Sequence, residues 1–393
     1  MNGDAARRKT RIAIDARWIF REISGIGAYT RELMRRLPGL RPDIEFVFLF
    51  TDSAVESRTE KEVGLHGMVN VTTARVPYSV FSPRSQLDLP GVLRELGVTV
   101  FHAPNYMIPY RAFPRERSGP IRCVTTIHDV IPLLFPGHAP RSKKTRLFPL
   151  FRRLIRETAR RADAILTVSE ASRRDIIRQL AIPAGREDGV HVVYNGVDPR
   201  FRPARSAPPA GAGERRILCV GRADPYKNLA TAVRAFHAAR ARLPFPARLI
   251  LAGPRDDRYP EVPALARELG LGDSVQWTGY LHDDDLLKTY QRAHLLVQPS
   301  HYEGFGLPVL EAMACGVPVV CSNGGALPEV AGDAAPTLAP DDVDGYTDRI
   351  VDILTNPALH AQLRAKGLAQ AAGFTWERTA HRTLDVYERL LAT

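Results

Sequence analysis

Short apolar runs separated by amphipathic stretches recur along this chain. Leu295-Leu296-Val297, closed by Pro299 and Ser300, has the length and flanks of a buried strand. A loop with Gly304 and Gly306 follows; Pro308 suits the first position of a helix, Val309 to Cys315 continue it, and Gly316 ends it. Val317 to Cys321 is the next strand, which completes a β-α-β unit. The same alternation predicts strands at 11–17, 44–50, 99–104, 123–129 and from 164, then at 189–198, 217–220, 248–254 and 275–281. A loop at Ser24–Tyr29 leads into a helix over Thr30–Leu37, Ser169 opens another, and a last helix starts near Phe374 and reaches Leu391. Alternating strands and helices imply parallel sheets, whose ligands sit at the carboxyl ends of the strands.

Residues 202–214 (RPARSAPPAGAGE) break the pattern with proline, alanine and glycine and no apolar period, which is the composition of a linker. The expected division is a domain over 1–201, a linker over 202–214, a second domain over 215–375 and a closing helix over 376–393. The length of 393 residues suits two domains.

Composition is that of an ordinary globular protein, 45% hydrophobic and 25% charged. No stretch approaches the roughly 18 apolar residues of a membrane span, and the polar start MNGDAARRKTR shows no signal peptide, so cytoplasmic residence is expected. Cys123, Cys219, Cys315 and Cys321 sit in apolar surroundings without metal-ligand spacing and read as core thiols. The net charge of +11 concentrates in 141–161, where nine Lys or Arg face one Glu among helically spaced apolar residues. Such an element is either a solvated basic face or a contact with an anionic inner membrane face, worth about 1 kcal/mol per basic residue there. Nucleic acid is not expected, since no zinc-ligand spacing or RNA-binding aromatic motif is present.

The candidate chemistry lies in the β-α-β unit. Glycines before a helix let backbone approach a ligand, and the helix N-terminus favours a phosphate. Glu303 and Glu311 bracket that seat and would weaken a bare phosphate site, so each is expected to hold hydroxyls. A ligand with phosphates in the middle and polyols at both ends fits, and a nucleotide-diphospho-sugar is such a ligand. Asp129 and His128 stand at another strand's carboxyl end. Asp283-Asp284-Asp285 contains a D-x-D, but it precedes a helix, where N-capping explains it, and no metal is expected.

The E-x7-E spacing in GFGLP, with GVPVV after it, resembles the donor signature of retaining GT-B glycosyltransferases of family 4, which include mannosyltransferase-like enzymes. The resemblance extends to GR-x4-KN at 221–228, HD-x-IP at 128–132, YNGVD at 194–198 with Tyr194 where the family has proline, and GG-x-LPE at 324–329. It implies an α/β GT-B fold of two Rossmann-like domains facing a central cleft, acceptor in the first and donor in the second. By likeness Glu303 contacts the transferred sugar and Glu311 the ribose. Arg222 and Lys227, with amides at Phe305, Gly306 and Leu307 and the glycine turn at Gly27, take the diphosphate. The loops at Gly253 and at Tyr280-Leu281 border the base, and His128, supported by Asp129, stands at the reacting centre. The implied reaction moves a hexose from a GDP- or UDP-sugar, as substrate and without a cofactor, to a saccharide or lipid-linked saccharide of a cell-surface polysaccharide. A nucleotide-sugar epimerase or phosphorylase, or a non-catalytic binding module, are the alternatives.

Overall fold

The computed structural model describes residues 10–21, 25–115, 119–136, 148–204 and 213–392. Seven parallel strands form the first sheet: β1 (Arg11–Ile14), β2 (Glu45–Phe50), β3 (Val71–Arg75), β4 (Val100–Ala103), β5 (Arg122–Thr126), β6 (Ala164–Thr167) and β7 (Val190–Val192). Their order is β3-β2-β1-β4-β5-β6-β7. Six parallel strands form the second: β8 (Arg215–Val220), β9 (Ala247–Ala252), β10 (Val275–Gly279), β11 (Leu295–Gln298), β12 (Val319–Ser322) and β13 (Thr337–Leu338), in the order β10-β9-β8-β11-β12-β13. Helices cover both faces of a doubly wound sheet, so its inner strands read as unbroken apolar runs. Val100–Ala103, Leu295–Gln298 and Val319–Ser322 are accordingly buried at every position. The order of each sheet reverses beside its first strand, between β1 and β4 and between β8 and β11, which is where such folds open a ligand crevice.

Three local expectations are corrected. β1 stops at Ile14 because the buried Asp15 accepts from Arg17 N and binds the Arg17 guanidinium at 2.7 Å, turning Ala16–Trp18 into a 3₁₀ turn. The first helix spans Gly25–Leu40, so Gly25 and Gly27 lie in its opening turn rather than in a loop before it, and it runs through Pro38-Gly39. Asn70 ties down the end of that helix: its amide donates to the carbonyls of Pro38, Arg41 and Ile44 at 3.0–3.2 Å, where the last C=O groups of a helix have no partner within it. β3 escaped the sequence reading because VTTAR is an edge strand with no apolar run.

The closing helix, Trp376–Ala392, lies against Gly25–Leu40, and its Tyr387 hydroxyl meets His102 Nδ1 at 2.5 Å. The chain reaches it past Gly196, where a Cβ would stand 2.1 Å from Trp376 N; the Asn-Gly turn is glycine for that reason. Residues 205–212 of the expected linker and 141–147 of the basic stretch lie outside the described residues. The remainder of that stretch is helix Phe148–Arg161, with Pro149 in its first turn and Ile155, Thr158 and Ala159 buried. Among the described residues no helix is long and apolar enough to cross a membrane. The four cysteines are buried and unbridged, and burial raises each thiol above its usual range.

Candidate active site

Adjacent strands β8 and β11 deliver the central pair. Lys227, after β8, places Nζ 2.8 Å from both carboxylate oxygens of Glu303, which follows β11. The pair is deeply set, with side-chain exposures of 12% and 8%. Ser300 Oγ and Gln298 Nε2 also donate to Glu303 Oε1, at 2.7 and 3.0 Å. Burial opposes the Lys227 charge, but the carboxylate outweighs it and holds the ammonium above its ordinary pKa. Glu303 is therefore fixed in direction by three donors, which a flexible loop acid would not be. Gln298 and Ser300 were not anticipated; their only trace in the sequence is polarity at and just after the end of an apolar strand.

The loop after Glu303 is seated by close backbone contacts. Gly325 pairs with Glu303 across a parallel bridge, and Ala326 N donates to Glu303 O at 2.9 Å. A Cβ on Gly324 or Gly325 would lie 2.3 Å from a carbonyl oxygen of that loop, so both positions require glycine. Phe305 is buried, 5.9 Å from Phe374 and 6.3 Å from Tyr194 between ring centres. Gly306, at φ +108°, starts helix Leu307–Ala314.

The first domain meets this loop directly. Gly304 faces Asp129 so closely that a Cβ there would stand 2.7 Å from Asp129 Cβ. Asp129 itself accepts from Ile131 N at 3.0 Å, which aims the loop after β5. His128 Nε2 lies 3.1 Å from the Pro104 carbonyl and therefore carries the proton, leaving Nδ1 as an acceptor. Its ring stands edge-on to Tyr29, 5.0 Å between centres, on the helix that contains Gly27. Burial lowers His128 to about 4, partly offset by the Pro104 bond, so the ring is neutral at physiological pH. His102 is a structural residue, clasped by Tyr387 and by Thr126 Oγ1 at 2.8 Å.

Glu311 lies on helix Leu307–Ala314 and accepts from Tyr290 OH at 2.7 Å. Burial pushes its pKa up to about 7, against the lowering effect of the Tyr290 bond. An acid with a raised folded-state pKa loses stabilising contribution as it ionises: the contribution is complete below the unfolded value of about 4.5 and gone once pH passes the folded value. Glu311→Gln is therefore expected to melt increasingly above the wild type as pH rises from about 4.5 to about 7, with the gap constant beyond. Parallel Tm–pH curves over that window would refute the assignment.

Other anticipated residues are peripheral. Arg222 is at the rim, its side chain 63% exposed and 3.3 Å from Asp224. Gly253 is glycine because a Cβ would lie 2.0 Å from Gly221 O, a packing demand independent of any ligand. Tyr280 is exposed beside His282, and Leu281 turns into the second domain's core. The acids at 283–285 do not cap their helix; His282 is the cap residue, while Asp283 binds Arg200 at 3.1 Å and Asp285 lies 3.4 Å from Lys288. Among the described residues no three His, Cys, Asp or Glu gather in a way that could hold a metal ion.

Known proteins match along the whole of this architecture. Residues 23–201 match the family described as Glycosyltransferase Family 4, and residues 202–370 that described as Glycosyl transferases group 1. O-antigen chain mannosyltransferase B of Escherichia coli is 33% identical over 386 residues, spanning 94% of this chain and 97% of that protein. The MMP alpha-(1->4)-mannosyltransferase of Mycolicibacterium hassiacum is 34% identical over 413 residues, 94% of this chain and 95% of its own. In fold, sucrose-phosphate synthase from Thermosynechococcus elongatus superposes with a TM-score of 0.73 at 20% identity, over 98% of this chain and 99% of its own. HepE of Anabaena, solved with UDP and glucose, gives 0.71 at 18% over 97% and 100%. With both halves matched in order, two doubly wound domains in contact and the acid-cation pair at the switch point of the second sheet, the chain belongs to glycosyltransferase family 4 and has the GT-B fold.

Proposed function

We propose that this protein transfers mannose from a nucleoside-diphospho-mannose, GDP-mannose first among them, to a hydroxyl of a saccharide or lipid-linked saccharide during synthesis of a cell-surface polysaccharide. The observation that carries the reading is the Lys227–Glu303 pair, buried at the switch point of the second sheet and oriented by Ser300 and Gln298. The sugar is supported by relatives named as mannosyltransferases at 33–34% identity.

Glu303 accepts from hydroxyls of the bound sugar. Two of the three Lys227 N–H bonds go to Glu303, and the third is available to a phosphate oxygen, so one ammonium links sugar and diphosphate. Arg222, exposed at the rim, closes on the outer phosphate, and the start of helix Leu307–Ala314 offers backbone N–H groups. Glu311 takes the ribose hydroxyls. In the reaction the C1–O bond to the β-phosphate breaks, the acceptor oxygen bonds to C1 on the same face, and its proton passes to the departing phosphate oxygen. The configuration at C1 is thereby retained without a carboxylate nucleophile. Cations on the phosphates act more strongly as charge accumulates on them, which lowers the barrier rather than only binding substrate. The neutral His128, presenting an acceptor, does not repel the positive charge growing at C1. Contact between Gly304 and Asp129 brings the domains together and excludes water from the activated donor.

The deciding experiment is a thermal-shift panel of GDP-, UDP- and ADP-sugars followed by turnover with and without a mannan-type acceptor. GDP-mannose should give the largest shift, and α-linked product should require acceptor. Absence of any shift, or nucleotide release that ignores acceptor, overturns the reading. Catalysis supported by side-chain cations needs no metal, so full activity is expected in excess EDTA; complete loss would contradict the cation assignment.

Helix Phe148–Arg161 supports contact with an anionic membrane. Its Arg152, Arg153, Arg156 and Arg160, with Arg115 and Glu157, line an open recess of about 560 Å³. Cosedimentation with phosphatidylglycerol vesicles, but not with phosphatidylcholine alone, is expected, weakening as salt rises. Salt-insensitive or absent binding would remove this surface from the membrane.

A further inference from the structure

Helix Glu170–Leu180 belongs to the first domain, yet its N-terminal turns are bonded to the second. Ser169, the N-cap residue, accepts from Ser172 N at 3.0 Å and donates its hydroxyl to the Gly304 carbonyl at 2.7 Å. Ser172 Oγ donates to the same carbonyl at 3.1 Å. Glu329, from the second domain, accepts from Glu170 N at 2.8 Å and Ala171 N at 2.7 Å. A helix N-terminus, with its unpaired N–H groups and positive dipole end, favours a carboxylate there. The Tyr194 hydroxyl adds a donor to Glu329 at 3.3 Å, and about one turn further along the helix Asp175 accepts from Tyr302 OH at 2.6 Å.

These bonds are not spread over the interface. They fall on Tyr302 and Gly304, the residues on either side of Glu303, and on Glu329, which ends the segment whose Gly325 and Ala326 hold the Glu303 backbone. Ser169 and Ser172 have no exposed surface, so separation of the domains would hand both hydroxyls and the Gly304 carbonyl to water.

We infer that Ser169, Ser172 and Glu329 are positioning residues that seat the Glu303 loop when the domains close. Helix Glu170–Leu180 thus couples closure to the geometry of the carboxylate at the transferred sugar. The inference rests on the proposed role of Glu303. Its consequence is that donor bound to an open molecule meets a loop anchored only from behind, and transfer waits for the first domain to arrive.

The test uses the full chain with Ser172→Ala, which keeps the Ser169 cap, and separately Glu329→Gln and Ser169→Ala/Ser172→Ala. In each variant kcat should fall about tenfold or more, within the range of coupling between sites. Calorimetric affinity for GDP and UDP should hold at the wild-type value, and donor hydrolysis should rise relative to transfer. With nucleotide bound, small-angle scattering should give a larger radius of gyration than the wild type. Folded variants with wild-type kcat and an unchanged hydrolysis-to-transfer ratio overturn the inference. If the wild type transfers no sugar, the proposed function fails on its own, and scattering still decides: equal radii in wild type and variants eliminate the coupling.

Discussion

Lys227→Ala is expected to lower kcat/KM by about 2 kcal/mol or more, roughly thirtyfold at about 1.36 kcal/mol per decade, and to lower Tm as well. Both effects have one origin. The ammonium contacts both oxygens of a carboxylate with 8% side-chain exposure, and truncation leaves that charge buried with only Ser300 and Gln298 as donors. The double variant Lys227→Met/Glu303→Gln separates folding from function. Removing both charges leaves no uncompensated ion, so most of the lost Tm should return. The cation proposed to meet the departing diphosphate is still missing, so turnover should not. Near wild-type turnover in Lys227→Ala would remove this residue from the reaction, and a double variant no more stable than Lys227→Ala would show that the pair is not coupled.

Gly304→Ala should fail at closure. Its backbone is not in the left-handed region, so alanine is compatible with the local conformation and no strain arises within the loop. The obstacle lies across the cleft: the new Cβ would sit 2.7 Å from Asp129 Cβ and 2.8 Å from Asp129 Oδ2. A Cβ cannot swing aside as a side-chain tip can, so the domains must part. We expect a tenfold or greater loss of kcat, in line with the cost of a misplaced catalytic geometry of about 1 Å, with GDP affinity preserved. Radius of gyration should increase. Replacing Asp129 with glycine in that background removes both obstructing atoms and should restore compactness by scattering, whatever it does to activity. An active, compact Gly304→Ala protein would show that the contact is not part of the working state.

Tyr194 illustrates how a substitution can be misjudged from a motif. The resembling family has proline at this position, and the motif by itself gives the tyrosine no task. In the fold its ring lies 5.8 Å from Phe374 and 6.3 Å from Phe305, and its hydroxyl reaches Glu329. It joins the interdomain segment to the loop that follows Glu303, a task proline could not perform.

The chain's own order of residues determined the parallel sheets, their division between two doubly wound domains and the strand ends after which Lys227 and Glu303 stand. These depend on period, glycine placement and strand-end position, all of which are short-range properties. Tertiary structure decided the rest. Gln298 and Ser300 became partners of Glu303 because β11 aims them at one carboxylate oxygen. Gly304 and Gly253 owe their missing side chains to Asp129 and to the Gly221 carbonyl, atoms distant in sequence. Ser169, which reads as a simple helix cap, serves as a bond between domains because 135 residues separate it from Gly304 along the chain and 2.7 Å in space. Hydrogen bonds and steric limits act over a few ångströms, and only the folded chain says which distant atoms come that near.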